Sequence, residues 1–196
     1  MNLAIIKYNA GNIQSVLNAL ERLGIQANVT DDPEQIRGAD KVIFPGVGEA
    51  SSAMNSLKQN NLDKVIRDLK QPVLGICVGM QLLCRHSEEN ETDCLDIVPV
   101  PVKKFTQKEI KVPQVGWNNI YNLKTDLFKN IRENSFIYNV HSYYAELSSY
   151  TIASCHYGLE YAAAVHKDNY YGVQFHTEKS ADTGETILKN FITYIN

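Results

Sequence analysis

The sequence lacks the features that mark membrane, secreted and disulfide-stabilised proteins. No run approaches the roughly 20 apolar residues of a membrane span. The apolar part of Met1–Lys7 is too short for a signal peptide and predicts a first strand instead. The four cysteines include no Cys-x-x-Cys pair and have none of the density of a disulfide scaffold. We therefore expect a cytoplasmic protein whose thiols are free.

An excess of charge of one sign is also missing. The chain has 19 Lys and Arg against 22 Asp and Glu, a formal net charge of −3. This balance argues against bulk binding of nucleic acid or of an anionic membrane, so we expect neither as a partner. The 196 residues are 44% hydrophobic and 21% charged, which is ordinary for a globular chain. No repeat or linker interrupts them, and we expect one domain over residues 1–196.

The first half of the chain alternates strand and helix patterns. Strands are predicted at Leu3–Ile6, Ala27–Thr30, Lys41–Phe44 and Pro72–Cys77. Helices are predicted around Val16, Leu20 and Leu23, with Gly24 as a left-handed cap, and at Asn61–Leu69 and Val78–Cys84. This alternation predicts a parallel sheet with helices on both faces.

The second half is rich in strand patterns joined by short turns, so we expect a mixed or antiparallel extension of the sheet. The predicted strands are Ile97–Phe105, Lys111–Ile120, Phe136–Glu146, Thr151–His156, Ala162–His166 and Tyr170–Phe175. A last helix is predicted, capped by Asp182 with Glu185 as its capping-box partner. Its buried stripe would be Ile187, Leu188, Phe191, Ile192 and Ile195. The fold class is therefore α/β, with an open, mixed, mostly parallel sheet flanked by helices.

Ligands of open α/β sheets bind beyond the carboxyl ends of the strands, and a cysteine lies at one such end. Gly75–Gly79 has the form G-x-C-x-G at a strand-to-helix turn, the cysteine version of a nucleophile elbow. The helix that begins behind Cys77 favours negative charge, so we expect it to lower the pKa of the thiol. The alternative for this short motif is a buried core cysteine beside two packing glycines.

A histidine and a glutamate follow another predicted strand. His176 ends the apolar run Tyr170–Phe175, and a base near the thiol is what a cysteine nucleophile needs. Glu178 is two residues further on, where an extended backbone would put both side chains on one side. It could then orient the imidazole as the third member of a triad. Taken alone, the pair is more simply a strand-end histidine beside a solvated glutamate, but Cys77 favours the triad.

A glycine-rich loop follows the third strand. Pro45–Gly48 lacks the G-x-x-x-x-G-K-S/T pattern of a nucleotide-binding P-loop. Amides of such a loop can turn toward an anion, and we expect Val47 and Gly48 to supply half of an oxyanion hole. The amide of Val78, just after the nucleophile, would be the other donor. A tight turn without a ligand is the alternative.

The spacing of the remaining cysteines and histidines fits no usual zinc pattern, and we expect no metal and no cofactor. The residues considered are Cys84, His86, Cys94, Cys155 and His156. Cys84 is more simply a small core residue on the helix after Cys77.

Six segments stand out in order: Tyr8-Asn9-Ala10-Gly11-Asn12, Pro45-Gly46-Val47-Gly48, Gly75-Ile76-Cys77-Val78-Gly79-Met80-Gln81-Leu82-Leu83, Gly116-Trp117-Asn118, His141-Ser142-Tyr143-Tyr144, and Gln174-Phe175-His176-Thr177-Glu178-Lys179-Ser180. Each alone is weak, but six in this order on a chain of this length are specific. Together they resemble the class I (triad-type) glutamine amidotransferases over essentially the whole chain. More narrowly, they resemble the glutaminase subunits of imidazole glycerol phosphate synthases.

The resemblance implies a flavodoxin-like core and the hydrolysis of glutamine to glutamate and ammonia. It makes Cys77 the nucleophile, His176 the base and acid, and Glu178 the residue that orients His176. It also implies a set of residues around the bound glutamine: Gly46, Gly48, Val78, Gln81, Glu89, His141, Ser142 and Tyr143. An α-ammonium needs a carboxylate or carbonyls, and an α-carboxylate needs backbone amides. Without the resemblance, Gln81 and Glu89 would pass for exposed helix surface.

The resemblance further implies a partner chain. In this family, ammonia passes to a cyclase subunit, a (β/α)₈ barrel, which makes imidazole glycerol phosphate and aminoimidazole carboxamide ribotide. The glutaminase occupies the whole of this chain, so we expect that subunit as a separate chain in a heterodimer. Asn12, Trp117, Tyr138 and Lys179 match positions expected near the interface, although Trp117 could equally pack in a core.

The chain departs from the family pattern at two places. The family usually has proline where this chain has Thr177, and His-Met where it has Gln114 and Val115. The first departure leaves the turn between His176 and Glu178 less rigid, and the second affects partner contacts or signalling. We also expect the free subunit to be nearly inactive, because Gly46 and Gly48 let their strand change its peptide orientation.

Three alternatives stay open at this stage. The chain could be the glutaminase of another synthase, such as the one that makes pyridoxal phosphate. It could be a stand-alone cysteine hydrolase of γ-glutamyl or peptide bonds, active without a partner. It could also be a binding or regulatory module that has lost activity, although the intact Cys77, His176 and Glu178 speak against that.

Overall fold

A computed structural model describes residues 1–9 and 12–195. The strands are β1 (Leu3–Ile6), β2 (Asn28–Thr30), β3 (Lys41–Gly46), β4 (Val73–Cys77), β5 (His86–Ser87), β6 (Thr92–Asp93), β7 (Pro101–Lys104), β8 (Gln114–Ile120), β9 (Ser135–His141), β10 (Tyr143–Ala145), β11 (Thr151–His156), β12 (Glu160–Lys167) and β13 (Tyr170–Val173). The helices are α1 (Ile13–Arg22), α2 (Pro33–Arg37), α3 (Ala50–Gln59), α4 (Leu62–Asp68), α5 (Val78–Leu83) and α6 (Ala181–Tyr194). Short 3-10 helices cover Glu89–Glu91, Asp126–Phe128 and Thr177–Lys179.

Eleven strands of the described residues form one sheet in the order β2-β1-β3-β4-β13-β12-β10-β7-β5-β6, and β11 pairs with β12 outside this path. The neighbours from β2 to β13 are parallel, whereas β12 and β10 are antiparallel to the strands on both sides. Strands β8 and β9 form a separate antiparallel pair. The predicted open, mixed, mostly parallel sheet is confirmed. No helix of residues 1–9 and 12–195 is long and apolar enough to cross a membrane.

The strands and helices predicted in the first half are present, with one correction at the third strand. That strand does not break at Pro45 but continues through Gly46, because Pro45 pairs with Ile76 and Gly46 with Cys77. The last β1–β3 pair is Ile5 with Ile43, so Pro45 has a neighbouring strand on one side only and its missing N–H is tolerated. Gly24 has the predicted left-handed conformation, with φ +70°.

The sequence pattern did not predict helices α2 and α3. Helix α2 has five residues and is capped by Asp32, whose carboxylate accepts from the Glu34 N–H at 2.9 Å. Helix α3 buries Ala53, Met54 and Leu57, and the many small and polar residues between them weaken its apolar pattern. Short or polar helices give little periodicity to detect.

Two long strands predicted in the second half are wrong. Only Pro101–Lys104 of the predicted strand 97–105 is a strand, and the segment 136–146 divides at Ser142. Strand β9 before this break pairs with β8, whereas β10 after it enters the main sheet between β12 and β7. Residues 141–143, at this division, lie around the same cavity as Cys77 at the end of β4.

The predicted capping box of the last helix is also wrong. Helix α6 begins after Ser180, so Asp182 lies within its first turn, and Glu185 pairs with Arg22 at 2.6 Å. The hydrophobic stripe is confirmed: Ile187, Leu188, Phe191 and Ile195 are buried, and Ile192 is half-buried. At its C-terminal end, the Lys41 ammonium donates to the carbonyls of Phe191, Ile192 and Ile195.

Candidate active site

The segments singled out by the sequence meet at one edge of the sheet. Strands β3, β4 and β13 are neighbours and parallel, so their carboxyl ends lie side by side. The loop after Gly46, the turn at Cys77 and the segment at His176 follow these three ends. This is the position where open α/β sheets bind ligands.

The turn at Cys77 has the strained geometry of a nucleophile elbow. Cys77 has φ +54° and ψ −112°, a conformation that side-chain-bearing residues rarely adopt, and α5 begins at the next residue. A Cβ on Gly79 would lie 1.9 Å from the Phe44 carbonyl oxygen, and one on Gly75 would lie 2.9 Å from backbone atoms of Gly79 and Met80. Both flanking glycines are therefore required by close backbone approach, as the G-x-C-x-G pattern predicts.

The Cys77 sulfur lies among three polar groups. Its Sγ is 3.8 Å from the Val140 carbonyl oxygen and 3.9 Å from the Gln174 amide nitrogen, and its third partner is the imidazole of His176. The side chain is buried, with only 3% of the residue exposed, yet it lines a cavity. The thiol is therefore covered from bulk solvent but accessible to a molecule in that cavity.

His176 and Glu178 form a buried pair next to the thiol. His176 Nδ1 lies 2.8 Å from Glu178 Oε1, and the two side chains are 5% and 2% exposed. Burial lowers the pKa of His176, but hydrogen bonds to Cys77 and Glu178 outweigh it and raise the pKa to about 10. The pairing with Cys77 and Glu178 therefore favours the imidazolium form, which makes His176 a strong acceptor for the thiol proton.

The backbone between His176 and Glu178 is not extended, contrary to the prediction. Thr177–Lys179 forms a 3-10 helix, and the Glu178 carboxylate reaches back to His176 from its first turn. The Thr177 hydroxyl and the second Glu178 oxygen are buried without a hydrogen-bond partner among the described residues. Thr177 is thus a buried polar residue that contributes no side-chain hydrogen bond to the turn.

The cavity beside Cys77 has a volume of about 230 Å³, a size that suits a small metabolite better than a drug-sized ligand. Its lining comprises Val47, Gly48, Cys77, Val78, Gln81, Glu89, Pro113, Val140, His141, Ser142, Tyr143 and His176. Seven of the eight residues expected around glutamine are in this set. The eighth, Gly46, does not line the cavity, and a Cβ at that position would meet Gly79, Val78 and the Tyr8 hydroxyl at under 3 Å. Pro113 and Val140 were not expected, because nothing in a proline or valine signals a ligand.

The candidate oxyanion donors face this cavity. Val47 and Gly48 line it from the end of β3, and Gly48 has φ +91°. Val78 lines it as the first residue of α5, where the N–H has no acceptor within the helix. The Tyr8 hydroxyl donates to the Pro45 carbonyl at 2.7 Å and so fixes the start of the loop.

Gln81 and Glu89 are not exposed helix surface. Gln81 is buried, and its Nε2 donates to the Tyr143 carbonyl and to Gln174 Oε1, both at 3.0 Å. Glu89 is half-buried, and its Oε2 accepts from the Ala50 N–H at 2.7 Å. Burial raises the pKa of Glu89, although the Ala50 N–H acts in the opposite direction. A carbonyl and a carboxylate are therefore available in the lining of the cavity.

His141, another residue of the cavity lining, is a buried neutral histidine. Its Nδ1 donates to the Tyr143 carbonyl at 2.8 Å, and its Nε2 lies 3.4 Å from the Tyr161 hydroxyl. The pKa of His141 is lowered to about 4, chiefly by burial. The hydrogen bond to the Tyr143 carbonyl acts to raise this pKa, whereas the nearby His176 lowers it further. His141 is therefore uncharged at neutral pH and acts as a fixed donor.

An exposed apolar face lies directly behind the site, on the β8–β9 pair. Large apolar side chains project from it into solvent: Val115, Trp117, Phe136 and Val140. Trp117 is 53% exposed, and its ring packs edge-on against Tyr138, with ring centroids 5.6 Å apart. Trp117 is therefore a surface residue, and the core alternative is wrong. We call this surface, together with Tyr138, the hairpin face.

The other predicted interface residues lie on neighbouring elements. Lys179 is exposed on the 3-10 helix that contacts β9, and Asn12 immediately precedes α1, which contacts the same 3-10 helix. Ala10 and Gly11 of the segment after the first strand lie outside the described residues.

Among residues 1–9 and 12–195, no group of three or more His, Cys, Asp or Glu side chains could hold a metal ion. Cys84, Cys94 and Cys155 are buried free thiols. Burial raises the pKa of all three thiols, to about 12 for Cys94 and to about 11 for Cys155. These thiols therefore stay protonated and unreactive.

Comparison with known proteins places the chain in one family. The family model described as glutamine amidotransferase class-I matches residues 4–194. A protein from Bacteroides fragilis (strain YCH46), "Imidazole glycerol phosphate synthase subunit HisH", is 55% identical over 194 residues, covering 98% of this chain and 99% of that protein. The protein of the same name from Escherichia coli (strain K12) is 44% identical over 194 residues, with the same coverage. A solved structure titled as a glutamine amidotransferase has the same fold, with a TM-score of 0.75 at 15% identity, over 98% of this chain and 97% of that chain.

Proposed function

Because this chain belongs to the class I glutamine amidotransferases, and within them to the HisH subunits of imidazole glycerol phosphate synthase, we propose that it hydrolyses glutamine through Cys77, His176 and Glu178. The observation that carries the proposal is the meeting of a strained cysteine with a buried His–Glu pair at one cavity. The three residues come from two separate strand ends, and a purely structural role would not require that meeting.

The first half of the reaction forms a thioester. Cys77 Sγ attacks the carbon of the glutamine side-chain amide, and His176 takes the thiol proton. Glu178 holds Nδ1 of the imidazole, so Nε2 is the nitrogen that faces the thiol. His176 then gives its proton to the leaving nitrogen, the C–N bond breaks, and ammonia departs.

The second half releases glutamate. A water molecule attacks the thioester carbon while His176 takes its proton, and the proton returns to the sulfur as the C–S bond breaks. In both halves, the oxygen of the tetrahedral intermediate carries negative charge. The amides of Val78 and of the loop at Val47 and Gly48 are the donors for it, and one such donor is worth roughly 10²–10³ in rate.

The cavity wall supplies groups for the amino-acid end of glutamine. Both N–H groups of Gln81 are used within the protein, so its carbonyl oxygen is the atom left to accept from an α-ammonium. Glu89 brings a carboxylate to the same wall, and backbone amides of the segment from His141 to Tyr143 suit the α-carboxylate.

We further propose that the ammonia passes to a cyclase subunit, a (β/α)₈ barrel, which uses it in the cytoplasm to make imidazole glycerol phosphate and aminoimidazole carboxamide ribotide. The hairpin face supports this proposal, since it is apolar, exposed and directly behind the thiol. An exposed aromatic flanked by other apolar residues is typical of the centre of a protein interface.

Labelling with a glutamine-analogue diazo-ketone tests the nucleophile. We expect the reagent to modify Cys77 and to leave Cys77→Ala unmodified, whereas the control variant Cys94→Ala should be labelled like the wild type. Glutamine turnover in the complex should vanish in Cys77→Ala and fall by several orders of magnitude in His176→Asn. Labelling at Cys84 or Cys155 instead would contradict the proposal.

Turnover with and without the partner tests the assembly. We expect the chain alone to hydrolyse glutamine slowly, and the complex with cyclase subunit and cyclase ligand to do so much faster. Equal turnover in all these conditions would favour the stand-alone hydrolase. A pull-down that captures a pyridoxal phosphate synthase subunit instead of the cyclase would assign the chain to that synthase.

A further inference from the structure

A pair of buried glutamine side chains connects the sulfur of Cys77 to the wall of the cavity. Gln174 Nε2 lies 3.9 Å from Cys77 Sγ, and Gln174 Oε1 accepts from Gln81 Nε2 at 3.0 Å. Gln81 Nε2 also donates to the Tyr143 carbonyl at 3.0 Å. Gln174 has no exposed surface at all, and Gln81 is 3% exposed. A fully buried amide that packs against a nucleophile is not explained by the three residues of the triad.

The hydrogen bonds fix which way the Gln174 amide faces. Both N–H groups of Gln81 are committed, one to the Tyr143 carbonyl and one to Gln174. A reversed Gln174 amide would place its NH₂ group against the NH₂ group of Gln81, where neither could accept. The hydrogen bond from Gln81 to Gln174 Oε1 therefore holds the side-chain NH₂ group of Gln174 toward the sulfur, and neither glutamine belongs to the triad.

The backbone fixes the position of the same side chain. Gln174 immediately follows the end of β13 at Val173, and its backbone N–H donates to the Ala163 carbonyl at 2.8 Å. His176 is two residues further on, and its N–H donates to the Tyr138 carbonyl at 2.9 Å. One short anchored segment thus supplies both the base and an amide donor to the sulfur.

We propose that Gln174 is a positioning residue for the nucleophile, acting as the hydrogen-bond donor that holds the Cys77 thiolate; this inference rests on the proposed function. In the thiol form, Sγ donates to the Val140 carbonyl. Once the proton has moved to His176, the sulfur can only accept, and the Gln174 N–H is the neutral donor placed to meet it. Hydrogen bonds to charged groups are about twice as strong as neutral ones, so this contact favours the ionised state.

Two variants separate the donor from the rest of the side chain. Gln174→Met keeps a similar length and removes both hydrogen-bonding functions. Gln174→Glu keeps the oxygen that accepts from Gln81 but replaces the donor with an acceptor. The control is Asn190→Leu, which removes an amide that is 3% exposed and donates only to the carbonyls of Leu127 and Lys129.

The first measurement is the rate at which iodoacetamide alkylates Cys77 in the folded full-length chain, followed across pH by mass spectrometry of the Cys77 peptide. We expect the pH of half-maximal rate to rise by about one unit in Gln174→Met and by at least as much in Gln174→Glu, equal to a roughly 10-fold loss of thiolate at neutral pH. Asn190→Leu should keep the wild-type pH profile even where it lowers the thermal midpoint.

The second measurement is steady-state glutamine hydrolysis in the complex with the cyclase subunit. For Gln174→Glu we expect kcat to fall about 10- to 100-fold with KM near the wild-type value, because Gln81 stays oriented. If Gln174 had a purely structural role, its variants would instead contain less folded enzyme, and the folded fraction would keep the wild-type pH profile.

The outcomes distinguish this inference from the proposed function. Alkylation profiles in both Gln174 variants that match the wild type, or an equal shift in Asn190→Leu, would overturn the role of Gln174 while the glutaminase proposal stands. A wild-type complex that does not hydrolyse glutamine would overturn the glutaminase proposal, and the alkylation profile would still report on Gln174.

Discussion

Cys77 and its neighbours show how single residues set up the candidate site. Cys77 has a positive φ at the end of β4, and the helix that follows passes close to β3 at Phe44. Strain of this kind persists only where surrounding structure over-determines it. Here Gly75 and Gly79 do so by allowing backbone approaches that any Cβ would block.

The Gly79 position allows a direct test of this packing. We expect Gly79→Ala to lower the free energy of unfolding by more than about 3 kcal/mol, because its Cβ would lie 1.9 Å from the Phe44 carbonyl oxygen, a backbone atom. Urea unfolding followed by circular dichroism measures this loss.

Gly24→Ala is the matched control. Gly24 has φ +70° but open space where a Cβ would lie, so the cost should be only about 1 kcal/mol. Gly79 is not among the glycines with positive φ, so equal losses in the two variants would contradict the close approach to Phe44 as the reason for glycine at position 79.

His141 gives a second prediction at this scale, on pH. Its folded-state pKa of about 4 lies below the ordinary 6.5, so the unfolded chain binds a proton that the folded chain refuses. The stability from neutral His141 is present above pH 6.5 and declines as the pH falls toward 4. This depression corresponds to about 3 kcal/mol over that window.

The comparison of wild type with His141→Gln isolates this contribution. We expect the difference between their unfolding free energies to shrink as the pH falls from 6.5 to 4. A difference that does not change with pH would mean that His141 takes up its proton at the same pH in the folded and unfolded chains, which would contradict a lowered pKa. His176 does not confuse the result, because its raised pKa adds pH dependence only above 6.5.

At the scale of elements, the short 3-10 helix Thr177–Lys179 determines how Glu178 meets His176. It connects β13 to α6, brings Glu178 back to His176 and lies against β9 and α1. Ser180 at its end accepts from the Tyr138 N–H at 2.9 Å and donates to the His176 carbonyl at 2.6 Å. The orientation of the pair therefore depends on one turn of backbone.

Thr177 occupies the first position of that turn, where proline is well tolerated. His176 before it has φ −85° and ψ +104°, the extended conformation that precedes proline. We expect Thr177→Pro to raise the free energy of unfolding by about 0.5–1 kcal/mol, because it restricts the unfolded chain and removes an unpartnered buried hydroxyl. Denaturant titration measures the change.

Thr177→Val separates these two causes. Valine has the shape of threonine without the hydroxyl, so it should show only the part of the gain that comes from the buried oxygen. A proline variant less stable than the wild type would indicate that the Thr177 N–H makes an interaction needed by the fold.

At the scale of the whole molecule, strand β9 connects the exposed surface to the chemistry. Its outer side carries Tyr138 and Val140 of the hairpin face, and its free edge presents the carbonyls of the same two residues. The Tyr138 carbonyl accepts from the His176 N–H, and the Val140 carbonyl accepts from the Cys77 thiol. A partner bound to the hairpin face would therefore touch the strand that holds both reacting residues.

Trp117 has the largest side chain of the hairpin face, so it can bury the most apolar surface against a partner. We expect Trp117→Ala to weaken binding of the cyclase subunit by about 2 kcal/mol, which is roughly 30-fold in Kd, while the unfolding free energy stays near the wild-type value. Isothermal titration calorimetry gives the affinity.

Leu147→Ala is the control for surface hydrophobicity, since Leu147 is 45% exposed and lies outside the hairpin face. It should bind the partner like the wild type. Equal affinity in Trp117→Ala would place the interface elsewhere on the molecule.

Local patterns in the sequence determined much of this protein. Apolar runs specified the parallel strands, and the pattern around Cys77 specified its turn, because both depend on residues close together in the chain. The positions of Cys77 and His176 at strand ends also followed, since carboxyl ends of parallel strands share an edge. Helix α3 and the break at Ser142 did not follow, because polar sequence and continuous β-propensity hide them.

Only the tertiary structure decided which distant groups meet. The route of β9 brings the Val140 carbonyl to the sulfur, and the ladder between β12 and β13 brings Gln174 there from 97 positions away. The exposure of Trp117 was decided in the same way, by the pairing of β8 with β9 outside the main sheet. A contact between residues far apart in sequence depends on how whole strands pack, and no local pattern carries that information.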